Sequence, residues 1–582
     1  MKIDKTNVKE IIIKELIDSG INVTPSILDF LINLEEPLKN VKLIIKNVSF
    51  LPDFDSHLTA DTLQKISNKE LTKSLKTQLI KEINPKSNQV YELEERENLK
   101  SPSLVKQIQT RIENQVNVIE EKVIVNDSNR EITKILRKSE LKVPSFGRSK
   151  SALRFQPIAK DFEFEYEILK DPSGKLFTNG DYEDFYNLTL DKFTKLRNLM
   201  RKRPEVLSAN NINNIIRLSN KVEVSAIGIV NDIRKTKNGN FFLTLEDQTG
   251  LINVIIHKDS ENQDNVKLAE RTINDQMIYV EGTYNPGERG KSGIIYGNYI
   301  SKIDIPKDYT PNKSHDPLSI ALVSDAHIGS KEFEEKVWKR FIDFLNGKIG
   351  HANQRNQAGR IKYIIINGDL VDGIGVYPTQ QSDLNIPDIY KQYEKATEML
   401  SNIPEYIKIF YSSGNHEPVR NAIPRPAVPK KYSKDLIDIG VKCIGNPAFV
   451  QTHNVNNLVY HGDSLLDLNM LIPGLDNNKP IETMIELLKC RHLAPLYGKK
   501  TQIAPTNKDW LVIDKIPDIF HTGHIHINGM DYYNNIVLVN SGCFQSQTDF
   551  MNSLGIHPTP GILSIIDLDT LKGIKLDLKN NV

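Results

Sequence analysis

Five short segments hold the residues that could do chemistry: Asp325-Ala326-His327, Gly368-Asp369-Leu370-Val371-Asp372, Gly414-Asn415-His416-Glu417, His461-Gly462-Asp463 and Gly523-His524-Ile525-His526. Their side chains offer carboxylate, imidazole and amide, with no thiolate. That set suits six-coordinate Mn2+ or Fe2+ better than a closed structural zinc site, with Mg2+ as a further alternative. Two such ions about 3.5–4 Å apart would hold a bridging hydroxide and a phosphoryl group, which is the chemistry of phosphoester hydrolysis.

Each segment follows an apolar run: 318–324, 361–366, 406–411, 458–460 and 518–520. Runs of this length bounded by Asn and Gly read as buried strands. Open α/β sheets place their chemistry beyond the carboxyl ends of such strands. Gly368 lets the backbone turn sharply there, which sets Asp369 at the crevice and Asp372 one short loop away.

The five motifs, in this order, resemble the calcineurin-like metallophosphoesterase superfamily over roughly residues 316–582. The resemblance implies one ion held by Asp325, His327 and His526, another by Asn415, His461 and His524, and Asp369 between them. It further implies in-line attack on phosphorus, with the metals neutralising the charge that develops. His416 is the candidate to protonate the leaving oxygen, and Asp372 the candidate to orient its imidazole. The other histidines considered, His315, His351, His453, His492, His521 and His557, lack the spacing or the strand-end placement. Of these, His492 beside Arg491 is the pair that could contact a terminal phosphate.

At 582 residues the chain is too long for one core, so two to four domains are expected. Lys and Arg number 75 against 74 Asp and Glu, so any nucleic-acid footprint must be local. Cys443, Cys490 and Cys543 are far apart, which argues against a disulfide framework or a thiolate metal site and fits a reducing compartment. The first residues lack the apolar core of a signal peptide, and no apolar run reaches membrane-spanning length. A soluble, cytoplasmic protein without membrane contact is expected.

Residues 1–83 read as a helical docking domain. Val8, Ile11, Ile12, Leu16 and Ile17 recur at helical spacing, Thr24-Pro25 opens a second helix, and further helices are expected over 59–66 and 69–83. Residues 84–146 are polar and charged and read as a flexible linker. Residues 147–219 form a connecting segment. It begins with basic and aromatic residues such as Arg148, Arg154 and Phe155, suited to contacting DNA or to anchoring a loop. It continues into a basic helix containing Arg197, Arg201, Lys202 and Arg203. Over 220–306, five short strands with a helix-like piece near Val266 and a turn at Asp247-Gln248-Thr249-Gly250 resemble an OB-fold, which could bind single strands or dock a protein. Residues 307–582 make the calcineurin-like α/β sandwich. The expected class is multidomain α+β.

An OB-fold followed by a calcineurin-like domain resembles the second subunits of replicative DNA polymerases. Residues 487–498 and 503–505, Gly414-Asn415-His416 leading to 424–429, and Asn540-Ser541-Gly542 leading to 545–548 resemble the small-subunit family of archaeal DNA polymerase D. The likeness spans at least 220–582. It implies a heterodimer with a large catalytic subunit and a 3′–5′ proofreading exonuclease acting on single-stranded 3′ ends of DNA. The helical N-terminus is expected to recruit other replication factors. Glu417 stands where the nuclease branch has Asp, and Cys543-Phe544 where it has a Thr-Trp pair; neither position is implied to bind metal. Two other readings are a metallophosphatase of small phosphoesters, against which the OB-fold and helical module argue, and a noncatalytic polymerase scaffold, against which the intact ligand set argues.

Overall fold

The computed structural model of the chain describes residues 5–19, 21–23, 25–33, 37–48, 57–58 and 155–580, save 207, 288–291 and 379. Two compact units divide it, Met1–Lys142 and Val143–Val582.

In the first unit, helices Lys5–Asp18, Pro25–Ile32 and Pro37–Val48 bury Val8, Ile12, Leu16, Leu31, Val41 and Ile44 together. Pro25 occupies the first helical position, where its missing N–H costs nothing. Ile11, although in phase with the apolar stripe, faces solvent. Asn22–Val23 pairs in parallel with His57–Leu58. Thr24, the expected helices at 59–66 and 69–83, the linker over 84–146 and the basic residues before Phe155 lie outside the described residues.

In the second unit, five strands close into a barrel: Val222–Lys235, Phe241–Asp247, Gly250–Ile256, Met277–Asn285 and Ile294–Lys302. They fall on the apolar alternations that the sequence shows there. Helix Gln263–Glu270 sits between the third and fourth, and the third and fifth pair in parallel. The first strand runs 14 residues because a register shift between Val230 and Asp232 bends it around the barrel. At the turn between the second and third strands, Asp247 Oδ1 accepts from Thr249 N at 2.7 Å and Gly250 N at 3.1 Å, while Oδ2 accepts from Ile212 N at 2.9 Å. One carboxylate thus closes the turn and seats the preceding helix, Ile212–Ile216.

The larger domain is built from two six-stranded sheets. The first runs Lys442–Ile444, Lys408–Ser412, Ile361–Asn367, Ser319–Val323, Ile562–Asp567 and Gly573–Asp577, its first four strands parallel. The second runs Asn528–Tyr533, Ile536–Ser541, Ile519–Thr522, Val455–Val459, Ala448–Thr452 and Tyr166–Lys170. Ile364, Ile366 and Phe410 from one sheet and Val450, Val459, Ile519 and Val539 from the other share a single core, so the sheets pack face to face.

The connecting segment works inward. Phe155 packs on that core as a loop anchor. Helix Tyr182–Met200 ends before three of the expected basic residues: Arg201 caps it, and Lys202 and Arg203 lie beyond. Cations on it and just past its end act as clamps. Lys192 Nζ donates to Pro495 O at 2.6 Å, Lys195 Nζ to Asp509 O at 2.8 Å, and Arg203 to the carbonyl of Lys302 on the last barrel strand. The helix therefore ties the barrel to the two-sheet domain. Among the described residues no helix is long and apolar enough to cross a membrane.

Candidate metal centre

All five motifs sit at carboxyl ends of strands, three on the first sheet and two on the second. The strands within each set are parallel, so their ends open toward one place. Asp325, His327 and His526 gather within metal-ligating distance of one another, and so do Asp369, His461 and His524. A third group, His327, Asp372 and His416, borders the first.

The backbone is contorted to achieve this. Asp325, His327, Asp369, His524 and His526 have φ of 51°, 52°, 49°, 68° and 63°. L-residues seldom adopt this left-handed region; each such residue costs roughly 1–3 kcal/mol and persists only where its surroundings over-determine it. The repeated left-handed step brings Asp325 and His327 into one group and sends His524 and His526 to different ones. Gly414 lets its loop come close to Asp369, since a Cβ there would lie 2.3 Å from Asp369 Oδ1.

Asp369 stands in the middle. Its Oδ2 lies 3.2 Å from His461 Nε2, 3.8 Å from His327 Nε2 and 4.0 Å from His416 Nε2, while Oδ1 accepts from His416 N at 2.9 Å. Asn415 Oδ1 lies 3.0 Å from the same His461 Nε2. Asp325 faces His526 Nε2 at 3.3 Å and accepts from His524 N at 3.0 Å. Burial works against charge on Asp369, yet His461, His416 and His327 outweigh it and hold the carboxyl well below the usual range. For His461 burial again opposes the charge, but Asp369 carries its pKa up to about 10.

Three predicted positions differ from expectation. The Asp372 carboxylate is bonded to His327 and not to His416: its Oδ1 accepts from His327 Nδ1 at 2.8 Å and lies 4.0 Å from His416 Nδ1, which donates to the Asp372 backbone carbonyl at 2.6 Å. The two backbones run close together here, since a Cβ on Gly373 would lie 2.2 Å from the His416 carbonyl oxygen, and the Asp372 carbonyl is thereby within reach of the ring. Arg491 and His492 are not brought to the cluster. Arg491, left-handed at the end of helix Pro480–Cys490, is buried and donates to Ile513 O at 2.9 Å and Asp514 O at 3.3 Å. His492 Nε2 pairs with Asp509 Oδ2 at 2.9 Å and its Nδ1 accepts from Ala494 N, so both nitrogens are committed. Other set-aside histidines also have structural work: His351 caps a helix, His453 bonds Tyr363 Oη at 2.7 Å and His521 bonds Ser541 Oγ at 3.0 Å.

Sequence reasoning missed the residues that hold the loops. Glu417 is buried, and its carboxylate accepts from Asp369 N at 3.0 Å, Leu370 N at 2.8 Å, Gly414 N at 2.6 Å and Tyr411 Oη at 2.7 Å. Burial and Asp369 push its pKa up to about 7. It locks the second and third motifs together, and the only signal was its place at the end of GNHE. Gln380 and Gln545 hold Asp372 from two sides, at 3.0 Å and 3.4 Å. Asp463 of the fourth motif is turned away to a buried pair with Arg425, Nη1 to Oδ2 at 3.0 Å.

Residues 320–527 match the family model for the B-type subunit of DNA polymerases alpha and epsilon, which sets the class: second subunits of DNA polymerases. The chain is 38% identical over 417 residues to the DNA polymerase II small subunit of Methanothermobacter thermautotrophicus, covering 72% of this chain and 83% of the relative. It is also 38% identical over 435 residues to the DNA polymerase II small subunit of Pyrococcus horikoshii, covering 73% and 68%. The chain belongs to the DNA polymerase II small-subunit family. Among solved structures, asparaginyl-tRNA synthetase from Pyrococcus horikoshii aligns over 16% of this chain and 21% of that one at 16% identity and a TM-score of 0.15, too slight to argue from.

Proposed function

We propose that this chain is the small subunit of a DNA polymerase and that its two-sheet, calcineurin-like domain carries a metal-dependent 3′–5′ exonuclease that hydrolyses DNA phosphodiester bonds. The observation that supports it most is a convergence of acceptors. His461 Nδ1 lies 2.9 Å from Asn367 O and donates to it, which turns Nε2 toward Asp369 Oδ2 and Asn415 Oδ1. His327 Nδ1 donates to Asp372, which leaves its Nε2 lone pair 3.2 Å from His526 Nε2. Buried acceptors converging on one place call for a positive charge, which is why Asp369 carries the His461 pKa up, and carboxylate, imidazole and amide oxygen are the donors that Mn2+, Fe2+ or Mg2+ would take in place of that proton.

Asp325, His327 and His526 would hold one ion, Asn415, His461 and His524 a second, and Asp369 would share its carboxylate between them. When bound, two such ions supply Lewis-acid activation of water and neutralise charge on the phosphoryl oxygens. The protein's groups do the rest. Asn367 and Asp372 engage Nδ1 of His461 and His327, so that Nε2 of each is the atom that would meet a metal. His416, held at Nδ1 by the Asp372 carbonyl, turns Nε2 toward Asp369, so Nε2 is the atom that can deliver a proton to the leaving 3′ oxygen. Glu417 keeps the loops of Asp369 and Asn415 in register. The polarity of cleavage comes from the family resemblance.

The purified chain should shorten single-stranded and 3′-recessed DNA from the 3′ end with Mn2+; a chain that left both intact with any of the three metals would overturn the reading. The barrel over 220–306 and the domain over 307–582 should bind a large catalytic subunit without residues 1–83, which are left to recruit another factor. Loss of co-purification on deleting residues 1–140 would refute that division.

A further inference from the structure

Two aromatic rings lie on segments tied to Asp372 of the candidate ligand cluster and are not themselves among its ligands. Tyr377 follows Asp372 by five residues and Phe550 follows Gln545 by five. Both segments are tied to the cluster through one carboxylate, since Gln380 and Gln545 each donate to Asp372. The chain leaves Asp372 through Gly373, where a Cβ would lie 2.2 Å from the His416 carbonyl, so the Tyr377 loop starts directly against the proposed proton donor. The two rings meet nearly parallel, 10° apart with centroids 6.2 Å apart. Phe550 is 60% exposed, which leaves much of the pair open to solvent. Tyr377 is held in place because its hydroxyl donates to Asp383 Oδ2 at 3.0 Å, and the Asp383 carbonyl accepts from Lys331 N at 2.9 Å. Lys331, an exposed cation, lies four residues past His327.

We propose that Tyr377 and Phe550 form the stacking platform for the nucleobase next to the scissile phosphate of a single-stranded DNA end. The inference rests on the nuclease reading and adds to it how the substrate is recognised. A metal cluster holds a phosphate but has nothing with which to grip a base. Aromatic faces grip every base, because each base has a π-face, and so do not select sequence. A ring tethered at its hydroxyl and stacked on a second loses little freedom when a base arrives, so the contact is not offset by ordering. These are positioning residues: they act on where the phosphodiester lies, and the hydrolytic groups are elsewhere.

The full-length chain with Mn2+ tests this against two single-stranded oligonucleotides, one with an ordinary 3′ end and one whose two terminal residues are abasic. Phe550→Ala and Tyr377→Ala should each raise KM for the ordinary end by between about fivefold and about a hundredfold. They should leave kcat/KM for the abasic end unchanged, and Phe550→Trp should restore the ordinary end. Phe550 is mostly exposed, so its truncation leaves the core in place. Equal losses on both oligonucleotides, or no loss on either, would overturn the platform. If the parent chain cleaved neither, the nuclease reading would fall and the platform with it, a result distinguishable because the parent and not the variant fails.

Discussion

Two buried constellations in the second unit pair histidine with carboxylate, and they differ in whether their atoms converge on one place. Around Asp369, the Nε2 atoms of three imidazoles converge, with the Asn415 amide oxygen on one of them. Around Asp509, His492 is satisfied at both nitrogens, Arg491 donates to two carbonyls, and Lys195 from the clamping helix donates to the Asp509 carbonyl. Both sets shift the pKa values of their members, and Asp509 is held down at about 2: burial opposes its charge, but His492 and Lys192 outweigh burial. Perturbed titration and burial therefore do not separate a working site from a structural network. What sets the Asp369 group apart is the convergence of its ligand atoms on one place.

The largest effect that can break this contrast is at its centre. Asp369→Ala should abolish hydrolysis and metal uptake together, measured as nuclease rate and bound metal per chain, while the barrel keeps its fold. Full activity in that variant would show that the convergence is incidental. Next is His416→Ala, which should keep both metals and lose about 10²–10⁴-fold in single-turnover rate. If metal were lost in proportion to rate, His416 would be a brace for Asn415 and not a proton donor.

Asp372→Ala sharpens the comparison further, because its carboxylate is bonded to His327 and not to His416. Metal affinity should fall about 10–100-fold, with the saturating rate at high Mn2+ largely recovered. The smallest effect on chemistry belongs to the other network. Asp509→Asn should leave kcat and KM unchanged while lowering Tm by a few degrees, in line with about 1–3 kcal/mol for a buried charged hydrogen bond. A carboxylate whose folded pKa lies below its unfolded value stabilises the protein above the unfolded value and ceases to as pH falls through the folded one. The gap in melting temperature between parent and Asp509→Asn should therefore be full at neutral pH and close between about pH 4 and pH 2. A gap independent of pH over that range would remove the ionic account of the network.

Much of this was legible because it is local. The barrel strands show in alternations such as Phe241, Leu243 and Leu245, and the site strands in apolar runs that stop at Gly or Asn. The candidate ligands were legible as types at strand ends. What periodicity does not carry is which carboxylate meets which imidazole: Asp372 and His416 are 44 positions apart, and their contact comes where the two backbones run close together at Gly373. Arg491 and His492 were misread for the same reason, since a short basic-aromatic pair does not reveal that Ile513 and Asp509 will consume it. Glu417 was passed over because a residue that serves four donors on two loops has no signature in its own neighbourhood.

Tyr166–Lys170 pairs with Ala448–Thr452, so the edge of the second sheet is made of segments about 280 positions apart in the chain. During synthesis at about 5–20 residues per second, the first segment would wait roughly 15–55 seconds for its partner to be made. The barrel, whose five strands all fall within Val222–Lys302, is complete long before that. The order of assembly is thus written into the order of translation, with the barrel early and the two sheets, whose strands run on to Ser541 and Asp577, after it. Ribosome-bound chains halted near residue 310 should already protect barrel amides from exchange, and chains halted before residue 448 should leave those of Tyr166–Lys170 unprotected.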